Sequence, residues 1–156
     1  ALGNRSILCD ASDPDINKKL NQKLNRSEFM PFAPITLKDK FEDFYLNYDS
    51  NTDNLPFMTS TLKVKKNMIK ESPASVHVDE TARPQLIEKK LYSDLYEILI
   101  EYKKLTGKSS LINTSFNMHE EPIVCSTDDA IRAFISSNLP YIAINNYLII
   151  NNASNK

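Results

Sequence analysis

Hydrophobic positions recur with helical spacing in two places. Ile16, Leu20 and Leu24 repeat every four residues behind Ser12-Asp13-Pro14. That start is a polar cap followed by a proline, whose missing N–H costs nothing in a first turn, and it predicts a helix to about residue 25. Leu91, Leu95, Ile98, Leu99, Tyr102 and Leu105 form an i, i+4, i+7, i+8 stripe that ends at Gly107. A helix over 88–106 with a C-cap glycine follows. Ser126 and Asp129 are spaced as a weak capping box for a third helix over 127–137.

Between these helices the period changes. The stretches 57–64 and 75–78 alternate and carry β-branched residues, so strands are expected there, and 109–113 reads as a buried strand. Residues 141–150 (YIAINNYLII) predict a final strand, or a strand pair interrupted near Asn145-Asn146. The segment 29–37 contains Pro31 and Pro34 and cannot be a regular helix; it is expected to be an extended or edge segment entering the core. Residues 38–48 suit a short helix with Phe41, Phe44 and Tyr45 on one side. The stretches 49–56 and 79–85 read as loops, and 65–73 as a basic, mobile connection. Strands and helices alternate, which predicts an α/β or α+β layered domain over 1–150 with a disordered tail, 151–156.

Composition narrows the function more than the fold. The chain has 156 residues, 41% hydrophobic and 25% charged, with 19 basic and 20 acidic side chains and a formal charge of −1. No global field favours nucleic acid or an anionic membrane. Only Gly3 and Gly107 are glycines, which excludes a Walker-type phosphate loop and a dinucleotide-binding fingerprint. A phosphate would have to be held by side chains, helix N-termini or non-glycine backbone. Cys9 and Cys125 cannot build a disulfide framework, and no apolar run reaches the roughly 18 residues of a membrane span. These features predict a cytoplasmic protein. The chain opens without methionine inside a patterned segment, which predicts a piece of a longer protein.

Cys9, Cys125, His77 and His119 read as isolated residues, and no nucleophile–base pair is visible; Ser115 and Cys125 qualify only by residue type. The lysines at 63, 65, 66 and 70 lack an interleaved aromatic and read as a solvated face. Arginine is more informative. Arg5, Arg26 and Arg83 lie in or beside irregular segments, where a scaffold presents forked donors to phosphate or carboxylate. Each could equally pair with an acidic side chain. Asn113-Thr114-Ser115-Phe116-Asn117 follows a buried strand and is dense in donors and acceptors. It is either a ligand-binding turn at a strand's carboxyl end or a turn satisfied by its own side chains.

The segments ALGNRSIL, DPDINKKLN, NRSEFMPFAP, VHVDETARPQ and NTSFNMHEEPIVCSTDDAIRAF together resemble, in order and spacing, the C-terminal domain of the O-carbamoyltransferases. That family includes the nodulation-factor and antibiotic carbamoyltransferases, and the resemblance runs from Ala1 to about Ile150. It implies a YrdC-like fold, a twisted mixed sheet with helices on its faces. It also implies a preceding N-terminal domain of actin-like fold that carries the metal site. The implied chemistry joins carbamoyl phosphate and ATP, with Mg²⁺, into carbamoyl-adenylate, and the carbamoyl group then passes to a hydroxyl of a sugar or antibiotic-type acceptor. Such chemistry needs positive charge on crowded phosphate oxygens rather than a Ser-His-Asp array. By the same resemblance Ser115 and Asn117, with Asn113 alongside, would bond the nucleotide phosphate or carbamoyl group, and Arg83 would hold phosphate. Arg26 and Lys23 stand in the family's basic motif, and Arg5 lies at the expected domain junction.

Family members commonly carry glycine where this chain has Glu80, Glu120 and Asn145, and arginine where it has Met30. Either those turns need no positive φ or the sites are altered, since glutamate tolerates left-handed angles less well than glycine or asparagine. Two added carboxylates would also weaken anion binding. These departures support an alternative function, a non-catalytic partner domain that docks on the actin-like domain and shapes the acceptor site. A third reading, binding of double-stranded RNA, is opposed by the near-neutral charge.

Overall fold

A computed structural model describes residues 3–26, 32–46 and 52–153. In chain order the regular elements are β1 (Ser6–Cys9), α1 (Ile16–Lys23), β2 (Ala33–Leu37), α2 (Phe41–Phe44) and β3 (Leu62–Lys63). They continue with α3 (Lys66–Glu71), β4 (Thr81–Ala82), β5 (Gln85–Ile87), α4 (Ser93–Thr106), β6 (Ser110–Ser115), α5 (Thr127–Ser136), β7 (Tyr141–Ile144) and β8 (Tyr147–Ile150). The chain divides into two compact units, Ala1–Asn17 with Met30–Thr114, and Lys18–Phe29 with Ser115–Lys156. Among the described residues no helix is long and apolar enough to cross a membrane.

The first unit is built on a four-stranded mixed sheet ordered β1-β6-β2-β5. The layered α/β expectation therefore holds. Strand β2 runs antiparallel to β6 and parallel to β5. The proline-bearing segment, expected to be extended or an edge and to enter the core, is an extended interior strand buried at all five positions. Its register explains how Pro34 is tolerated. The Leu37 N–H donates to the Ser109 carbonyl on the β6 side. By alternation the nitrogen of Pro34 faces the β5 side, where pairing begins only at Ile35 with Gln85. No ladder bond is lost.

Each sheet face has its own apolar cluster. Ile35, Leu37, Ile87 and Leu111 pack with Leu95 and Leu99 of α4. Leu86 packs on the other side with Phe44, Tyr45, Leu62, Val64 and Met68. Thr36, on that second face, shares hydrogen bonds with the Tyr45 hydroxyl at 3.0 Å and the Ser110 hydroxyl at 3.2 Å. Those partners allow a β-branched alcohol to stay fully buried.

Several local expectations are corrected. The basic stretch 65–73 is ordered into α3, because Met68 at its centre is completely buried. The strand expected over 57–64 contracts to Leu62–Lys63. The strand expected at 75–78 is absent; Pro73–Ser75 form a 3₁₀ turn, and pairing occurs at Thr81–Ala82 and Gln85–Ile87, where a loop was expected. Helix α4 starts at Ser93 rather than 88, and of its six-residue stripe Leu91, Ile98 and Leu105 are exposed. Leu95 and Leu99 enter the core under the sheet, and Tyr102 packs half-buried beside them. Gly107 ends α4 at φ 76°, the left-handed cap that its position predicts. The parts of the expected elements at 27–31 and 47–51 lie outside the described residues.

In the second unit Leu20 of α1 and Leu24 just after it are buried, α5 carries the buried Ala133 and Phe134, and β7 and β8 form an antiparallel hairpin. The capping box is complete: the Asp129 N–H donates to Ser126 Oγ and the Ser126 N–H donates to Asp129 Oδ2, both at 3.1 Å. The interruption expected in 141–150 is the hairpin turn, with Asn145 at φ 52°.

Candidate functional site

In the second unit a helix end and a strand end meet. Helix α1 closes with a Schellman arrangement: the Arg26 N–H donates to the Asn21 carbonyl and the Asn25 N–H to the Gln22 carbonyl, with Asn25 left-handed at φ 54°. This turn aims the Arg26 side chain at the end of β6. Its Nη2 donates to the carbonyls of Ser115 and Asn117 and to Asn117 Oδ1, each at 3.1 Å, and reaches Ser115 Oγ at 3.5 Å. Ser115 Oγ donates to Asn117 Oδ1 at 2.5 Å, and Asn117 Nδ2 donates to the carbonyls of Met118 and Glu121. The His119 N–H, donating to the Leu24 carbonyl, ties the loop to the helix end again.

The acceptors in this knot are neutral, and partial burial holds the Arg26 guanidinium below its usual value without discharging it. The result is a half-buried cation beneath a turn whose hydroxyl and amide are pre-oriented. Ser115 is not set up as a nucleophile, because its proton goes to an amide oxygen, which is not a base. Lys23 points elsewhere and donates to the Asn138 carbonyl at 2.7 Å.

The remaining sequence-predicted residues belong to the first unit. Arg83 follows β4, is exposed, and forms no ion pair among the described residues. Arg5 is exposed just before β1. Asn113 is 3% exposed on β6; its Nδ2 donates to Gln85 Oε1 at 2.8 Å. Asn113 Oδ1 and Gln85 Nε2 are buried without a partner among the described residues. Gln85 was not singled out in the sequence. The available signal was a polar residue at the head of the short apolar run QLI, which is buried throughout.

The turn expectations left open by the missing glycines now have an answer. Glu80 and Glu120 stand at φ 59° and 61°, and Asn145 at 52°, so all three positions keep the left-handed backbone that glycine would take freely. Among the described residues no group of three or more His, Cys, Asp or Glu side chains could hold a metal. His77 Nδ1 hydrogen-bonds Thr81 Oγ1 at 3.1 Å. A cleft of about 510 Å³ in the first unit is lined by Lys40, Lys70, Glu71, Lys103, Lys108 and Ser109. Three of those lysines are already paired, with Asp43, Asp39 and Asp10, and none of the residues named above lines the cleft.

A buried mixed sheet clad by helices, with a polar turn at the carboxyl end of an interior strand, defines the fold class. The same fold occurs in full-length HypF, in a phosphate- and nucleotide-bound crystal structure, with a TM-score of 0.60 and 19% identity over 94% of this chain and 21% of that one. Residues 1–151 match the family described as Carbamoyltransferase C-terminus, and the chain belongs to that family. The uncharacterized protein MJ1051 of Methanocaldococcus jannaschii is 42% identical over 149 residues, covering 96% of this chain and 28% of its own length. Nodulation protein NolO of Bradyrhizobium diazoefficiens is 35% identical over 150 residues, 96% of this chain and 27% of its length. Nodulation protein U of Sinorhizobium fredii is 40% identical over 119 residues, 76% and 21% respectively. The chain thus spans about a quarter of the length of these relatives.

Proposed function

We propose that this chain is the part of a carbamoyltransferase that binds ATP and carbamoyl phosphate and joins them into carbamoyl-adenylate, with pyrophosphate released. The carbamoyl group then goes to a hydroxyl acceptor on a further domain of actin-like fold, in the cytoplasm, where ATP is supplied. The observation that carries this reading is the Arg26–Ser115–Asn117 knot in a member of the carbamoyltransferase C-terminus family. A fixed cation under a turn of oriented dipoles suits a reaction in which negative charge moves among phosphate oxygens, because no reorganisation is needed as the charge shifts. Arg26 orders the turn and Ser115 and Asn117 carry its polar groups, while Arg83, in the first unit, has an exposed planar fork without an ion pair among the described residues. A phosphate would have to take over donors that Ser115 and Asn117 spend within the turn. Mg²⁺ fits as an ion that arrives on the phosphates and keeps several waters, needing no dense protein cage. When bound, it would neutralise phosphate charge.

Calorimetry with ATP plus carbamoyl phosphate tests the reading. Wild type is expected to give heat, and Arg83→Ala and Ser115→Ala are expected to weaken it. Equal heats from all three would remove the site assignment. A second reading, a non-catalytic partner domain, is favoured by the carboxylates of Glu80 and Glu120 standing at glycine-like turns. Wild type without heat, made responsive by Glu80→Gly with Glu120→Gly, would support it.

A further inference from the structure

The hairpin of the second unit is unusual for a surface element. From Pro140 to Ile150 it contains no charged residue. Its register pairs Tyr141 with Ile150, Ile142 with Ile149, Ala143 with Leu148 and Ile144 with Tyr147. Side chains alternate across a strand, so Tyr141, Ala143, Leu148 and Ile150 share one face. Every position on that face is exposed: Tyr141 58%, Leu148 66% and Ile150 53%, with Ala143 exposed as well. On the other face Tyr147 is 75% exposed and Ile142 alone is buried. Among the described residues the sheet has only these two strands, so no described strand pairs with either outer edge. Proteins ordinarily guard such edges with charge, and a contiguous apolar patch on a surface marks an interface. A two-stranded sheet is also marginal alone in water.

We propose that this hairpin face is an interdomain docking surface, covered by the portion of a carbamoyltransferase that lies outside the C-terminal region. The proposal rests on the family reading above. MJ1051 and NolO each match 96% of this chain, yet the matched stretch is only 28% and 27% of their lengths. About three-quarters of each such protein is therefore on hand to cover a face left bare here. The recognition chemistry is apolar contact along Tyr141, Leu148 and Ile150, with strand addition at an open edge as the directional element. Without charge there is little steering or salt dependence, which suits a permanent interface within one protein better than a passing encounter.

The test mixes this chain with the separately produced remainder of the Methanocaldococcus relative. That relative's own C-terminal quarter serves as the control that the remainder is competent. Sedimentation should show a complex, and amide exchange over 141–150 should slow by about tenfold or more. The double substitution L148D with I150D, on an exposed face, should leave the circular dichroism of the isolated chain unchanged and weaken the complex by about tenfold or more. The proposal is overturned by no complex while the control binds, or by a complex with unchanged hairpin exchange. Hairpin protection that rises with this chain's own concentration would also overturn it, since a second copy would then be the occupant. Calorimetric heat with ATP and carbamoyl phosphate, measured on the double variant, separates failure of the docking surface from failure of the functional reading.

Discussion

The two units hold their chains in place by different means. In the first, order comes from burial: β2 is sealed at every position and apolar clusters lie on both faces of its sheet. In the second, much of the order comes from directed polar contacts. The Schellman turn of α1, the Arg26 knot, the complete capping box and the Lys23–Asn138 bond each fix a segment, in addition to the burial of Leu20, Leu24, Phe116 and Phe134. Burial is non-directional and tolerates a shift, whereas a hydrogen-bonded turn is either made or lost. A site that must hold dipoles in fixed orientation is better built on the second principle, and the candidate site is found there.

The largest effect should come from a cavity in the first unit. Leu99 is fully buried between α4 and the sheet, and Leu99→Ala is expected to cost about 2–5 kcal/mol in denaturant unfolding. Because the cavity lies among apolar neighbours, amide exchange over 115–118 should change no more than global unfolding requires. Selective loss of the 115–118 turn in this variant would break the distinction between the units.

Next in size is Arg26. Its removal leaves the carbonyls of Ser115 and Asn117 without their donor, and Arg26→Ala is expected to cost about 1–3 kcal/mol. Exchange at 115–118 should rise well beyond the global loss. Arg26→Lys should not restore it, because an ammonium cannot reproduce the planar fork. Rescue by lysine would show that charge alone, and not geometry, organises the turn.

The left-handed glutamates give a smaller effect of opposite sign. The Glu80 N–H donates to the His77 carbonyl and the Glu80 carbonyl accepts from Val64, so the turn is over-determined by its surroundings. Glu120 sits between the His119–Leu24 and Glu121–Met118 bonds. A non-glycine residue held there costs about 1–3 kcal/mol, part of which glycine gives back through the greater freedom of its unfolded chain. Glu80→Gly and Glu120→Gly are each expected to raise stability by about 0.5–1 kcal/mol, read from the unfolding midpoint. A loss at either position would mean that its glutamate side chain makes a compensating contact.

These cases also show what the sequence could and could not reveal. The capping box, the Gly107 stop and the asparagine turn of the hairpin were legible because each is a local rule in which one residue type satisfies one backbone need. The helix at Lys66–Glu71 and the interior place of Pro34 were not. Met68 is helical because distant residues close over it, and Pro34 is tolerated only through the offset between β5 and β6. For the site, the resemblance to the carbamoyltransferases pointed to Ser115, Asn117 and Arg26, which the structure joins. It did not reveal that Arg26 engages the turn itself, since a side chain's partner depends on where a helix ends. Gln85 escaped notice for the same reason: a buried amide shows itself only beside its partner, Asn113.

The smallest effects are electrostatic, and two carboxyls, one from each unit, show opposite signs. Asp129, exposed at the head of α5, is held below its ordinary value by the N–H and hydroxyl of Ser126 and by the N–H of Cys125. A carboxyl depressed in the folded state binds its proton more tightly when unfolded. Its stabilisation is therefore present above the ordinary value of 3.8 and lost as pH falls through the depressed one. Glu71, half-buried in the first unit, is raised from 4.5 chiefly by desolvation, against donation from the backbone N–H of Ser109 to Oε1 at 2.5 Å. There the folded state binds the proton more tightly, so the stability Glu71 contributes declines as pH rises from 4.5 through the raised value. Asp129→Asn should flatten the acid side of the stability–pH curve, whereas Glu71→Gln, which keeps an acceptor oxygen for Ser109, should flatten the limb just above it. Opposite slopes, measured by unfolding at a series of pH values, would confirm that one carboxylate is governed by hydrogen bonds and the other by burial. If both variants lose the same limb, one cause governs both carboxyls.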